Sequence, residues 1–78
     1  MSTRAYILVE TAVGKTRDVA STLRGLDGIQ SVDVVTGPYD IIAVIDGVDM
    51  MAVGNLITEK VHTVGGVVRT VTCVAVGG

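Results

Sequence analysis

Thr36-Gly37-Pro38-Tyr39-Asp40-Ile41-Ile42-Ala43-Val44-Ile45 carries a turn and then an almost wholly apolar run. Gly37 supplies backbone freedom, while Pro38 fixes φ and cannot donate to a strand ladder, so the chain reverses here. The run from Tyr39 to Ile45 reads as a strand. Its apolar residues fall on both parities, Ile41, Ala43 and Ile45 against Ile42 and Val44, so both sides of that strand need cover. Ile29 to Thr36, just before the turn, alternates near its start and reads as the partner strand of a hairpin.

Outward from this hairpin the pattern changes period. On the N-terminal side, Val19, Leu23 and Leu26 recur at helical spacing after Lys15, with Arg17, Asp18, Ser21 and Arg24 opposite them. Gly14 precedes that helix, Gly25 and Gly28 bracket its end, and Arg4 to Glu10 reads as the first strand. On the C-terminal side, Asp49 is placed to cap a second helix whose inward stripe is Met50, Val53, Ile57 and Val61, with Val64 near its end. Gly65-Gly66 stops it, and Val67 to Val76 is a long fourth strand. The order β-α-β-β-α-β predicts an α+β, ferredoxin-like sandwich: a four-stranded antiparallel sheet with two helices on one face. Residues 1–78 read as one domain, with no repeat, linker or low-complexity segment.

Two helices cover only one face of such a sheet, yet the other face is also apolar. Tyr6 and Leu8 oppose Ala5, Ile7 and Val9; Val71, Cys73 and Ala75 oppose Val68, Thr70, Thr72, Val74 and Val76. A 78-residue chain with one cysteine, no Phe and no Trp has a thin core and no internal disulfide to support it. Stacking two sheets face to face predicts a homodimer. At about 25 cal/mol per Å² of apolar area, a few hundred Å² per subunit contributes several kcal/mol before the costs of association. Six Lys and Arg against eight Asp and Glu give a net charge of −2, and the cations are scattered. Without a basic stripe or stacking aromatics, direct nucleic-acid binding is not expected. No apolar run is long enough for a signal peptide or a membrane span, which makes the cytoplasm the default location.

The chemistry-bearing residues are few. Gly14-Lys15-Thr16 lies between a strand and a helix, but the first Gly of a phosphate-binding loop would fall at Val9. His62, the only histidine, has Glu59 one turn away as an orienting acid, a pair more often found on solvated helix faces. No second nitrogen or sulfur ligand stands near it, so neither a metal nor a cofactor is expected, and no catalytic residue is assigned. Cys73, on an apolar strand without flanking bases, reads as a small core residue. Thr36 to Asp40 differs from these. It puts a phenol and a carboxylate beside a turn with free backbone amides, and Thr70 and Thr72 share one face of the fourth strand. An amino acid needs N–H donors for its carboxylate and an acceptor for its ammonium; the hairpin tip and Asp40 offer these. The structural alternative has Tyr39 packing on a neighbouring subunit, Asp40 capping the turn and the threonines satisfying strand propensity.

Gly37, Tyr39, Asp40, Gly66, Val67, Thr70 and Thr72, in this order and spacing, resemble the motifs of the effector-binding (RAM) domain of Lrp/AsnC transcriptional regulators. The resemblance covers essentially the whole chain. It implies a face-to-face sheet dimer, assembly of up to four dimers, and a small effector, typically an amino acid, at the junction between dimers. Carried over by position, the ligand-binding candidates are Gly37, Tyr39, Asp40, Thr70 and Thr72. Pro38 sits at a variable position of the motif and removes one N–H from the hairpin. The chain starts directly at its first strand, like a stand-alone form without a helix-turn-helix domain, which would act through a partner such as a full-length Lrp/AsnC regulator. The alternatives are an ACT-like regulatory domain, with Gly14 after its first strand, and a small dimeric α/β-barrel enzyme.

Overall fold

The computed structural model describes residues 3–76. Four strands, β1 (Thr3–Thr11), β2 (Ile29–Val34), β3 (Ile41–Gly47) and β4 (Val67–Val74), form one antiparallel sheet in the order β2-β3-β1-β4. Helix α1 (Thr16–Arg24) links β1 to β2, and α2 (Met50–Leu56) continues through a π-helical turn at Ile57–Val61 before β4. This is the expected βαββαβ arrangement.

The covered face of the sheet is made by Ala5, Ile7 and Val9 of β1, Ile41, Ala43 and Ile45 of β3, and Val32 of β2. Val19, Ala20 and Leu23 of α1 and Val53, Ile57 and Val61 of the second helical segment close over them. None of the buried residues is polar or charged among those described. Asp49 caps α2 as the sequence implies, its Oδ1 accepting from the Ala52 N–H at 2.9 Å. Gly66 leads into β4 with φ of +98°, and a Cβ there would stand 2.9 Å from Val19 Cγ2, so only glycine lets β4 start this close to α1.

Several expectations are corrected in detail. The hairpin strands are shorter at the turn than the Ile29–Thr36 and Tyr39–Ile45 readings, because the chain leaves the ladder at 35–40. There Val35 N–H donates to the Asp40 carbonyl, and Asp40 N–H turns to Val9 of β1, both at 2.9 Å. β4 ends at Val74 rather than Val76, although Ala75 N–H still donates to the Arg4 carbonyl. Met50 is not part of the buried stripe: it is 57% exposed, and Val53 is the first buried residue of α2. Cys73 is exposed rather than a core residue, because it pairs with Tyr6 on the face that the helices leave open.

Candidate functional site

The ends of β1 and β2 and the starts of β3 and β4 meet at one rim of the sheet, and the hairpin 35–40 folds over it. Asp40 fixes the hairpin there. Its Oδ2 accepts from the Thr11 backbone N–H at 2.8 Å and from Thr11 Oγ1 at 3.1 Å. Thr11 has one hydroxyl proton and donates it to Asp40, so Thr16 donates to Thr11 across the 2.7 Å between their oxygens. The relay Thr16–Thr11–Asp40 thus ties the first residue of α1, the end of β1 and the approach to β3. It also occupies the Thr16 hydroxyl, which a phosphate-binding loop would turn to a cation. Asp40 Oδ1 is the part of the carboxylate left for other work.

Tyr39 lies on the other side of this anchor. Its hydroxyl accepts from Arg69 Nη2 at 2.8 Å, and the guanidinium carbon stands 5.7 Å from the ring centroid. The contact therefore combines a hydrogen bond with cation–π attraction. Arg69 is the cross-strand neighbour of Glu10, and its Nε lies 3.8 Å from Glu10 Oε1. That ion pair is longer than a hydrogen bond and both side chains are substantially exposed, so it holds neither partner firmly. Gly37, with φ of +152° and open space where a Cβ would stand, lets the hairpin tip approach other groups closely.

Thr70 and Thr72 are elsewhere. In register they face Val9 and Ile7, so their side chains stand on the helix side of β4, while Arg69 and Glu10 belong to the open side. Thr70 Oγ1 is 2.9 Å from His62 Nε2, which makes β4, rather than Glu59, the observed partner of this imidazole nitrogen. The five candidates thus divide: Gly37, Tyr39 and Asp40 cluster at the hairpin rim, and Thr70 and Thr72 line the outer strand behind it. Sequence reading passed over Glu10, Thr11 and Arg69 as site residues, and weighed Thr16 only within Gly14-Lys15-Thr16. Glu10 and Arg69 each sit in a run of alternating strand residues, but only the β1–β4 register makes them neighbours.

No helix among the described residues is long and apolar enough to cross a membrane. No group of three or more His, Cys, Asp or Glu side chains among them is arranged to hold a metal ion.

Known proteins agree with this architecture. Residues 4–77 match the family model described as the Lrp/AsnC ligand binding domain. An uncharacterized HTH-type transcriptional regulator of Pyrococcus furiosus is 30% identical over 78 residues, covering 96% of this chain and 52% of the regulator. The chain thus spans about half the length of that curated relative. The crystal structure of FFRP-DM1 is 33% identical, with a TM-score of 0.88 over 97% of this chain and 100% of that one. TTHA0845 from Thermus thermophilus is 27% identical, with a TM-score of 0.91 over 100% of this chain and 96% of that one. The same fold, at 20% and 16% identity, occurs in a Neisseria meningitidis regulator and in the M. tuberculosis feast or famine regulatory protein, both crystallised with L-methionine. Their TM-scores are 0.84 and 0.82; this chain matches over 95% and 97% of its length, and covers 49% and 51% of theirs.

Proposed function

Because the chain belongs to the Lrp/AsnC ligand-binding domain family, we propose that it is an oligomeric receptor for a small effector, an amino acid, and regulates through protein partners rather than by catalysis. The observation that carries this reading is the juxtaposition of two surfaces. The open sheet face, with Tyr6, Leu8, Ile42, Val44 and Val71 only partly covered, runs up to the polar rim of Tyr39, Asp40 and Arg69. The apolar face makes a dimer; the rim receives the effector where dimers meet. Methionine-bound relatives support an amino acid as the class of ligand. The similarity to a transcriptional regulator from Pyrococcus furiosus supports transcription as the process; a full-length relative as the partner and the cytoplasm as the place are part of the same proposal.

Within the rim, Asp40 has two duties. One oxygen holds the hairpin, and Oδ1 accepts the effector's ammonium. In this proposal Gly37 and Tyr39 of the hairpin, and Thr70 and Thr72 of β4, complete the effector site. A truncation to Ala would remove both duties of Asp40 at once, so the informative change is Asp40→Asn. Its amide oxygen still accepts from Thr11, while the negative charge is gone.

The test is a thermal-shift screen of the twenty amino acids, followed by calorimetry on the best. A ligand that binds only the folded state raises the apparent Tm, by an amount that grows with its concentration over Kd. We expect at least one amino acid to do so, and Asp40→Asn to bind it about tenfold more weakly, as for a lost charge-assisted hydrogen bond. No shift with any of the twenty would sink the effector reading.

A further inference from the structure

We propose that the free edge of β4 is a second contact between copies of this chain, pairing antiparallel with β4 of a partner subunit about a two-fold axis at Val71. This rests on the face-to-face dimer proposed above and adds how such dimers join. The sheet has two edges, β2 and β4, and they differ in how they are guarded. β2 is six residues long and bulged between Ile29 and Ser31, and Arg24 Nη2 donates to the Val32 carbonyl at 3.0 Å. A short, bulged edge with a carbonyl already taken is a poor template for another strand. β4 runs for eight residues without a proline, and its register with β1 is regular from Arg69 to Val74. Val68 and Cys73 are exposed along it. A long, apolar edge of this kind invites a further strand.

Register tells which backbone groups of β4 are free. Ala75 N–H donates to the Arg4 carbonyl, and antiparallel pairs alternate between bonded and non-bonded, so Arg69, Val71 and Cys73 turn their N–H and C=O to β1. Val68, Thr70, Thr72 and Val74 turn theirs outward, and no turn or loop among the described residues bonds to them. The sequence of β4 then selects the occupant. Val68-Arg69-Thr70-Val71-Thr72-Cys73-Val74 reads alike in both directions except at Arg69 and Cys73. Centred on Val71, a second copy sets Thr70 against Thr72 of the partner subunit, and Val68 against Val74 of the partner subunit. These are the residues with outward backbone groups, so each pair closes two ladder hydrogen bonds. Thr–Thr and Val–Val neighbours also suit a cross-strand pair, and Arg69 meets Cys73 of the partner subunit, so no like charges are opposed. The axis is normal to the sheet, which keeps both helix layers on one side and makes the open faces continuous. One such edge buries too little surface to hold two chains by itself, so it acts between face-to-face dimers.

The test is the mass of the full chain by light scattering over a concentration series. Wild type is expected to reach at least twice the mass of the face-to-face dimer as concentration rises. Thr72→Pro removes an outward N–H and none of the β1 ladder, and should stop at the dimer. Because proline can also disturb the strand, two double variants test the register itself. Thr70→Lys with Thr72→Lys opposes ammonium groups across the axis and should stop at the dimer. Thr70→Lys with Thr72→Glu opposes lysine to glutamate and should regain the wild-type mass. Both lose the His62–Thr70 contact equally, so a difference between them does not come from that contact. The inference is overturned if wild type never exceeds the dimer, which leaves the edge to a strand of another protein. It is overturned equally if the double lysine variant assembles like wild type, or if the lysine–glutamate variant, folded by its unfolding curve, stops at the dimer. A wild type that stays monomeric would instead remove the face-to-face dimer itself, and this inference with it.

Discussion

The two faces of the sheet are built from the same strands and nearly the same residue types, yet they end in opposite situations. On the covered face Ala5, Ile7, Val9, Ile41 and Ile45 are fully buried. On the open face, one residue along in each strand, Leu8, Ile42 and Val44 are only half-buried and Tyr6 is 38% exposed. Strand propensity and hydrophobicity do not distinguish the sides. What differs is the helix layer, which two crossovers can supply on one side only. An apolar alternation therefore records where cover is required, and half of that requirement is unmet within a single chain. A further asymmetry follows the rim: its open side carries the Tyr39–Arg69–Glu10 cluster, whereas its helix side carries the His62–Thr70 contact.

The largest effects are expected on the covered side. Ile7 is fully buried at the centre of the sheet, between β3 and β4. Ile7→Ala should cost about 2–5 kcal/mol through lost burial and an unfilled cavity, read as a lower urea midpoint with an unchanged slope. For so small a domain that is a large part of total stability. A loss below about 1 kcal/mol would mean that the covered face is no better packed than the open one. Gly66→Ala probes the edge of the same layer. It forces a side chain into a positive-φ position and against Val19 Cγ2 and Lys15 Cβ, 2.9 and 3.1 Å away. The expected loss is about 1–3 kcal/mol, by the same denaturation curve. Gly66→Ala as stable as wild type would show that α1 can retreat from β4 without loss.

The fold was legible because its signals were local and redundant. The period changed from two to helical and back, and glycines and Pro38 stood at the joins. Asp49 announced its cap correctly. Errors arose where the deciding contact was distant in sequence. Val35 and Val76 have strand chemistry, but the hairpin leaves its ladder for β1, and β4 stops at Val74. Met50 fits the helical period but is exposed; the buried stripe of α2 begins one turn later, at Val53. The site was half legible. Tyr39 and Asp40 stood out as polar groups heading an apolar strand. That Asp40 is held by Thr11, 29 residues away, and Tyr39 by Arg69, 30 residues away, depends on register. Register is fixed by the whole sheet, so no short motif encodes it.

The smallest effect on the single chain is expected on the open side, and it is the one that separates the two faces most sharply. Leu8 pairs with Ile42 and Val71 at the middle of the open face and already meets solvent in the monomer. Leu8→Lys leaves the helix-covered core untouched, and a lysine can lay its stem along the sheet with its ammonium in water. The folding of an isolated chain should change by no more than about 0.5 kcal/mol. Assembly should respond quite differently, since a face-to-face dimer would bury that ammonium without a partner. Wild type should elute and scatter light as a dimer or larger species, with a Tm that rises with protein concentration. Leu8→Lys should scatter as a monomer with a Tm independent of concentration, and should match wild type at the lowest concentrations. If the variant assembles like wild type, the open face is not the contact surface, and its apolar residues need another partner. If it instead unfolds at every concentration, Leu8 belongs energetically with Ile7, and the distinction between the faces fails at this position.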